Sequence, residues 1–301
     1  MSAPGLIVLC GPTATGKSDR ALELALDLKV ALLNADSRQI YREFDIGTAK
    51  PTPDQQALWP HHLINIADPR ETFTVAQYQA QAQALVRQFH QEGQTPILVG
   101  GTGLYIQSVT QGLGIPSVPP QPTLRRQLLE LPQELLYSFL QQVDPQASHK
   151  IHPHDQVRTL RSLEIYYSTG KAASELKTQT SPPFRILTLG LTCPMDRLKE
   201  RIAQRTQQML QRGWMEEVIY LQEKYGTDLP LLQTLGYAEI GQYLRQELTS
   251  DLLLPQIVHH TRHFAKRQMT WFRRVSGIQW LDCEAKNLTT QIQEKVMAFL
   301  G

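Results

Sequence analysis

Apolar residues follow two rhythms along this chain. Short unbroken runs of strand length occur at residues 5–10 (GLIVLC), 30–36 (VALLNAD), 96–101 (PILVGG) and 184–191 (FRILTLGL). Between them the spacing changes to threes and fours, as in KSDRALELALDL from Lys17 and TVAQYQAQAQALVRQF from Thr74. Unbroken runs suit strands covered on both faces, and the second rhythm suits helices with one apolar stripe. Their alternation predicts an α/β fold, a parallel sheet core flanked by helices. After Leu191 the pattern is almost wholly helical, with one further short strand expected at residues 278–283 (IQWLDC).

More than eighty residues separate the runs at 96–101 and 184–191, far longer than an ordinary crossover. The excursion leaves through GLGIPSVPPQP (residues 112–122) and returns through SPP (residues 181–183), and its interior reads as helical. The expected organisation is a core of residues 1–115 and 184–301 with a helical insertion of residues 116–183. Two Pro-rich connectors make that insertion a candidate hinged clasp.

Residues 11–18, GPTATGKS, fit G-x-x-x-x-G-K-[ST] and lie between the first strand and the first helix, the context this phosphate-binding loop requires. Gly11, Pro12, Thr13, Ala14, Thr15 and Gly16 would curl N–H groups toward an anion, Lys17 would add a full charge, and Ser18 would face a magnesium ion. Asp36 closes the second strand at the carboxyl edge, where ligands of open α/β sheets bind; a turn or helix cap is its alternative role. Thr102, in VGGTGLY, starts a helix and can either donate to a ligand or cap. Arg212 precedes a helix-ending glycine, as a terminal cation or as a reach toward phosphate.

The formal charge is +2, but residues 252–277 contain no Asp or Glu and hold five Arg or Lys and three His. On a helix turning about 100° per residue, Arg273, Lys266, Arg274 and Arg267 fall within about 140° of Arg262, opposite Val258, Ala265 and Phe272. An acid-free basic face of this kind suits nucleic acid, and Arg158 and Arg161 place a second basic patch in the insertion. Three scattered cysteines with no C-x-x-C pair fit a reducing cytoplasm. No apolar stretch reaches the roughly 20 residues of a membrane span, so no membrane partner is expected. The pairs His61-His62 and His259-His260 are adjacent and lack a carboxylate cluster, which disfavours metal ligation.

Together the motifs GPTATGKS, NADSRQIY, DIGTAKP, HHLI, ILVGGTGLY, RTLRSLEIYYSTGK, RGWMEEV, QTLGYAEIGQYL and TRHFAKRQMTWFRR closely resemble those of the bacterial tRNA dimethylallyltransferases, or tRNA isopentenyltransferases. The resemblance spans nearly the whole chain and implies a P-loop NTPase-like core. It also implies transfer of a dimethylallyl group from dimethylallyl diphosphate to N6 of the adenosine 3′ of a tRNA anticodon. In that family's pattern Thr13, Lys17, Ser18 with magnesium, and Arg212 bind the diphosphate, and Asp36 takes the amine's proton. Ser37, Arg38, Gln39 and Thr102 match residues that receive the adenine. Arg125, Arg158, Arg161, Thr261, Arg262, Lys266, Arg267 and Gln268 match tRNA-contacting positions, and a monomer is expected. Asn65 departs from the pattern where an acidic residue is common, and Ala238 where a basic one is usual. A P-loop small-molecule or nucleoside kinase is the rival enzyme class. An RNA-binding module switched by nucleotide is the rival outside enzymes.

Overall fold

The computed structural model describes residues 4–116, 118–176 and 178–301. Among these, six strands form one sheet: β1 (Gly5–Cys10), β2 (Leu32–Asn34), β3 (His61–His62), β4 (Ile97–Gly100), β5 (Arg185–Thr192) and β6 (Ile278–Asp282). The order is β3-β2-β4-β1-β5-β6, with every neighbouring pair parallel. All six residues of β1 are buried, as its unbroken apolar run requires of a central strand. Strand β2 is shorter than its run at both ends, although the Ala35 N–H still donates to Val99 O at 2.7 Å before the chain turns from Ser37. Strand β3, two half-buried histidines, gives no periodic signal and was not anticipated.

Helices α1 (Lys17–Leu28), α2 (Pro53–Leu58), α3 (Val75–Gln91) and α4 (Gly103–Thr110) accompany the first four strands. Thr52 and Thr74 each accept an N–H three residues on, while Gln55 and Gln77 reach back, so α2 and α3 start on reciprocal caps. One face of the sheet buries Ile7, Leu9, Leu32, Ile97 and Leu189 against Ala21 and Leu24 of α1 and Ile292 and Val296 near the C-terminus. Each fully buried aliphatic side chain contributes about 1.5–3 kcal/mol.

Two glycines set the spacing at the carboxyl edge. Gly11 has φ 143° and a Cβ there would stand 2.5 Å from Leu191 O on β5. A Cβ on Gly100 would stand 2.1 Å from Ala35 O. Only glycine lets the chain after β1 lie this close to β5, and the end of β4 this close to the chain after β2.

The chain divides into two compact units, residues 1–106 with 183–301 and residues 107–182. The second contains α5 (Pro122–Leu129), α6 (Gln133–Val143), α7 (Pro145–Ser148), α8 (Gln156–Thr169) and α9 (Ala173–Leu176). Its core joins Leu128, Leu136, Leu140, Ile151, Leu160 and Leu163. Beside it the Glu164 carboxylate, 1% exposed, accepts from Arg161 Nη1 at 2.6 Å, Arg125 Nη2 at 2.9 Å and the Gln121 N–H at 2.6 Å. Arg161 also donates to Val118 O at 2.8 Å. Arg125 and Arg161, marked in the sequence as RNA-facing, are thus committed in large part to holding this unit together. Arg158 is the most exposed of the three at 61% and pairs with Asp155, which caps α8.

Burial opposes ionisation of Glu164, but the Gln121 N–H and the two guanidinium groups hold its carboxyl below the ordinary 4.5. A carboxyl depressed on folding stabilises above its unfolded value and ceases to do so as pH falls through the folded value. Glu164→Gln should therefore cost about 2 kcal/mol at neutral pH, less than a fully buried pair because both arginines still touch solvent. In thermal melts the gap between the two proteins should close on acidification below 4.5.

Candidate active site

The loop between β1 and α1 is shaped by its own short hydrogen bonds. Thr15 Oγ1 donates to Pro12 O at 2.9 Å, and Lys17 Nζ reaches back to the same carbonyl at 3.2 Å. The N–H groups of Ala14, Thr15 and Gly16 donate to nothing among the described residues. These free donors at a helix N-terminus, beside an ammonium group, form an anion cradle.

Later elements fix the cradle. Helix α10 (Met195–Gln211) sends Arg201 Nε to Ala14 O at 2.8 Å and Arg205 Nη1 to Thr13 Oγ1 at 3.1 Å. From α13 (Ser250–Phe272), Gln268 Oε1 accepts the Thr13 N–H at 2.9 Å, while its Nε2 donates to Gly101 O at 2.9 Å. Gln268 is buried with both ends of its amide engaged, so it is no part of the exposed basic face, although it borders a cavity beside the loop. Its amide holds the phosphate loop.

Asp36 lies two residues beyond the end of β2, just before a turn. Asn34 Oδ1 accepts the Asp36 N–H at 3.1 Å and Asn34 Nδ2 donates to Asp36 O at 3.1 Å, so the turn is clamped from behind. Asp36 Oδ1 accepts the Arg38 N–H at 2.9 Å, the turn role weighed in the sequence. Asp36 Oδ2 has no partner among the described residues, so one oxygen is left for chemistry. Thr102 Oγ1 accepts the Ser37 N–H at 2.9 Å and steadies the same turn. Gln39 is buried and donates to Thr48 O and Ala49 O, so its amide nitrogen serves the loop after β2. That loop is held in turn by Glu217 on α11 (Trp214–Tyr225), which accepts the N–H groups of Asp45, Ile46 and Gly47 and the hydroxyl of Tyr237, the first residue of α12 (Tyr237–Leu244).

Two cavities meet at this point. One, of about 590 Å³, is bounded by Thr13, Lys17, Ser18, Asp36, Arg205 and Arg212. The other, of about 350 Å³, shares Thr13, Lys17, Asp36 and Arg205 and has apolar walls from Met209, Trp214 and Phe264. Arg38, Thr261 and Arg267 also border it. Arg212 is exposed at the C-cap of α10, the place of a helix-terminal cation, and it also borders the first cavity. Lys266 and Arg267 are exposed on α13, Arg262 and Thr261 half-buried. Sequence reasoning missed Asn34, Arg201 and Arg205. The arginines had a signal: with Gln208 and Arg212 they recur at helical spacing along one face.

The two departures from the resembled pattern also have places. Asn65, in a left-handed conformation with φ 55°, accepts from buried Lys50 Nζ at 2.7 Å. Ala238 borders a shallow cavity with Glu239, His260, His263 and Arg267. No metal-binding group of three or more His, Cys, Asp or Glu occurs among the described residues.

The family model for IPP transferase matches residues 39–275, well over half of the chain. The chain belongs to the IPP transferase family. It is 64% identical over 298 residues to a tRNA dimethylallyltransferase of Synechococcus sp. (strain JA-3-3Ab), covering 99% of this chain and 88% of that protein. Identity to a tRNA dimethylallyltransferase of Picosynechococcus sp. (strain ATCC 27264 / PCC 7002 / PR-6) is 57% over 291 residues, covering 97% of each. Among solved structures, the tRNA isopentenylpyrophosphate transferase of Bacillus halodurans superposes with a TM-score of 0.71 at 32% identity over 100% of both chains. A eukaryotic dimethylallyltransferase caught acting on tRNA gives 0.83 at 27% identity, over 99% of this chain and 80% of its own. The P-loop NTPase-like fold of these relatives is that of the core described above.

Burial, reinforced by the Arg205 charge and opposed by Asp36, lowers the Lys17 ammonium to about 8. Its charge is therefore lost as pH rises through that value, weakening the hold on an anion. Calorimetric titration with inorganic pyrophosphate should show affinity declining above a pH of about 8. Lys17→Met should bind about tenfold more weakly at neutral pH and lack that inflection.

Proposed function

We propose that the chain transfers a dimethylallyl group from dimethylallyl diphosphate to the N6 amine of the adenosine 3′ of the anticodon in tRNA, releasing diphosphate. The observation that carries this reading is the free Asp36 Oδ2 on the wall shared with Lys17, Arg205 and the open N–H groups of the phosphate loop. An acceptor for a proton and a cradle for an anion thus face one space.

In the proposed reaction N6 attacks the allylic carbon as the C–O bond breaks, and the electron pair leaves on diphosphate. Lys17, Arg205, Arg212 and the loop N–H groups meet charge that grows along this path, so they favour the transition state over the bound donor. Asp36 accepts the proton that N6 must lose, held in place by Asn34 and the Arg38 N–H. Met209, Trp214 and Phe264 offer apolar cover for the allyl group and keep water from competing for the electron-poor carbon. The adenine must leave the anticodon stack to reach Asp36, and Ser37, Arg38 and Thr102 flank its arrival.

Magnesium is the proposed companion of the diphosphate. The Ser18 hydroxyl faces the cavity and has no partner among the described residues, which suits an ion that keeps several waters and takes its other ligands from substrate oxygens. Held there, it would offset charge on the leaving group. Every residue in this account belongs to one chain, and a monomer is the proposed working unit. No described helix is long and apolar enough to cross a membrane, and the cytoplasm, where tRNA is found, is the proposed location. A kinase is disfavoured because β4 ends in Gly100 and is followed by Gly101, with no carboxylate where many P-loop enzymes hold their nucleotide's metal.

The deciding experiment incubates purified protein with unmodified tRNA, magnesium and either dimethylallyl diphosphate or ATP alone. Prenylated adenosine should form only with the first donor; a phosphorylated product formed only with ATP would overturn the proposal. Asp36→Asn should lower turnover by about 10² to 10⁴ while leaving tRNA affinity near normal. Lys266→Ala should weaken tRNA binding and reduce the steepness of its salt dependence by about one counterion, as read from binding isotherms at several salt concentrations.

A further inference from the structure

Beyond the transferase site, two of the three cysteines meet at the carboxyl edge of the sheet. Strands β5 and β6 run parallel in register to Thr192 opposite Asp282, and the Cys283 N–H donates to Thr192 O at 2.8 Å. Cys193 and Cys283 are the next residues of each strand. In-register neighbours of a parallel pair point to the same side, about 4.8 Å apart at the backbone, within the Cα separation a disulfide spans. Both thiols are reduced, half-buried and hydrogen-bonded to each other.

We propose that Cys193 and Cys283 are a redox-modifiable pair that closes to a disulfide by exchange with a small-molecule disulfide. The Cys283 thiolate attacks one sulfur of the external disulfide and expels a thiolate. Cys193, on losing its proton, attacks Cys283 Sγ in the mixed disulfide and expels the second. Two protein thiols are oxidised and one external disulfide is reduced to two thiols. The order follows from the shared proton. Burial raises both thiols, but the Cys193 S–H supports the Cys283 thiolate, while Cys193 itself is pushed up to about 12. Closure is therefore faster in mildly alkaline solution, since the thiolate is the nucleophile.

The pair stands next to the phosphate cradle. Cys193 and Ala14 pack against one cluster around Leu198 and Ile202. The Arg201 guanidinium, which donates to Ala14 O, lies near enough to both sulfurs to favour their thiolates. Cys193 also leads through Pro194 directly into α10, the helix that carries Arg201 and Arg205. Closure brings the two sulfurs from hydrogen-bonding distance to a bond of about 2.05 Å, and the turn this imposes on Cys193 shifts the root of that helix and loosens its grip on Ala14 and Thr13.

The test treats the purified full chain with glutathione disulfide in mildly alkaline buffer, then maps thiols by differential alkylation and peptide mass spectrometry. A Cys193–Cys283 linked peptide lighter by two hydrogens is expected, with buried Cys10 alkylated only after denaturation. Persistent glutathione adducts, or an untouched pair, would overturn the assignment. In the linked chain inorganic pyrophosphate should bind about fivefold more weakly, the worth of one hydrogen bond in the cradle, and dithiothreitol should restore it. Cys283→Ser, or Cys193→Ser should the first fold poorly, should bind pyrophosphate normally and ignore the oxidant. Unchanged affinity in the linked chain would sink the coupling to the cradle. Neither readout needs tRNA or a prenyl donor, so failure here is separate from failure of the transferase reading.

Discussion

One buried amide connects the parts of the core that must act together. Gln268 accepts the Thr13 N–H and donates to Gly101 O, joining the basic helix α13 to the phosphate loop and to the glycine turn after β4. Each bond contributes only about 1 kcal/mol net, but leaving either buried partner unmet costs about 1–3 kcal/mol. The three segments are therefore held in one relative position by satisfaction of polar groups rather than by apolar contact. A cradle made of backbone N–H groups needs such outside support, because its own side chains, Thr15 and Lys17, brace only the Pro12 carbonyl.

Electrostatics completes the arrangement from the opposite direction. Lys17 and Arg205 sit close enough to repel, and burial deprives both of solvent. Asp36 offsets part of that cost, which ties the position of the proposed proton acceptor to the charge of the cradle. An arriving polyanion relieves the repulsion, so the cavity favours ligands that bring several negative charges at once. The apolar walls at Met209, Trp214 and Phe264 keep these interactions strong by limiting water.

Much of this was legible in the sequence because the features follow short-range rules. The phosphate loop shows itself through glycine spacing between a strand and a helix, and α13 through the separation of its basic and apolar arcs. What escaped depends on contacts between distant residues. Gln268 looks like any polar residue on a basic helix until Thr13 is seen 255 positions away. Arg125 and Arg161 carry the charge of an RNA surface, and only the buried Glu164 reveals their second employment. Strand β3 is two residues long, too short for any periodicity to register. Asn34 holds Asp36 through a side chain that sequence alone treats as part of an apolar run.

The sheet order also bears on how the chain comes into being. Strand β1 lies between β4 and β5, and its register with β5 pairs Gly5 with Arg185 and Cys10 with Gly190. A ribosome must release most of two hundred residues before that pairing can close, and α13, which braces the phosphate loop, emerges later still. The unit of residues 107–182 has its own apolar cluster and its own buried ion pairs, so it is able to mature while the sheet is incomplete. The first strand of the core thus waits, half of its hydrogen bonds open, until β5 has been made nearly two thirds of the way along the polypeptide, and its phosphate loop gains the brace from α13 only when synthesis is nearly done.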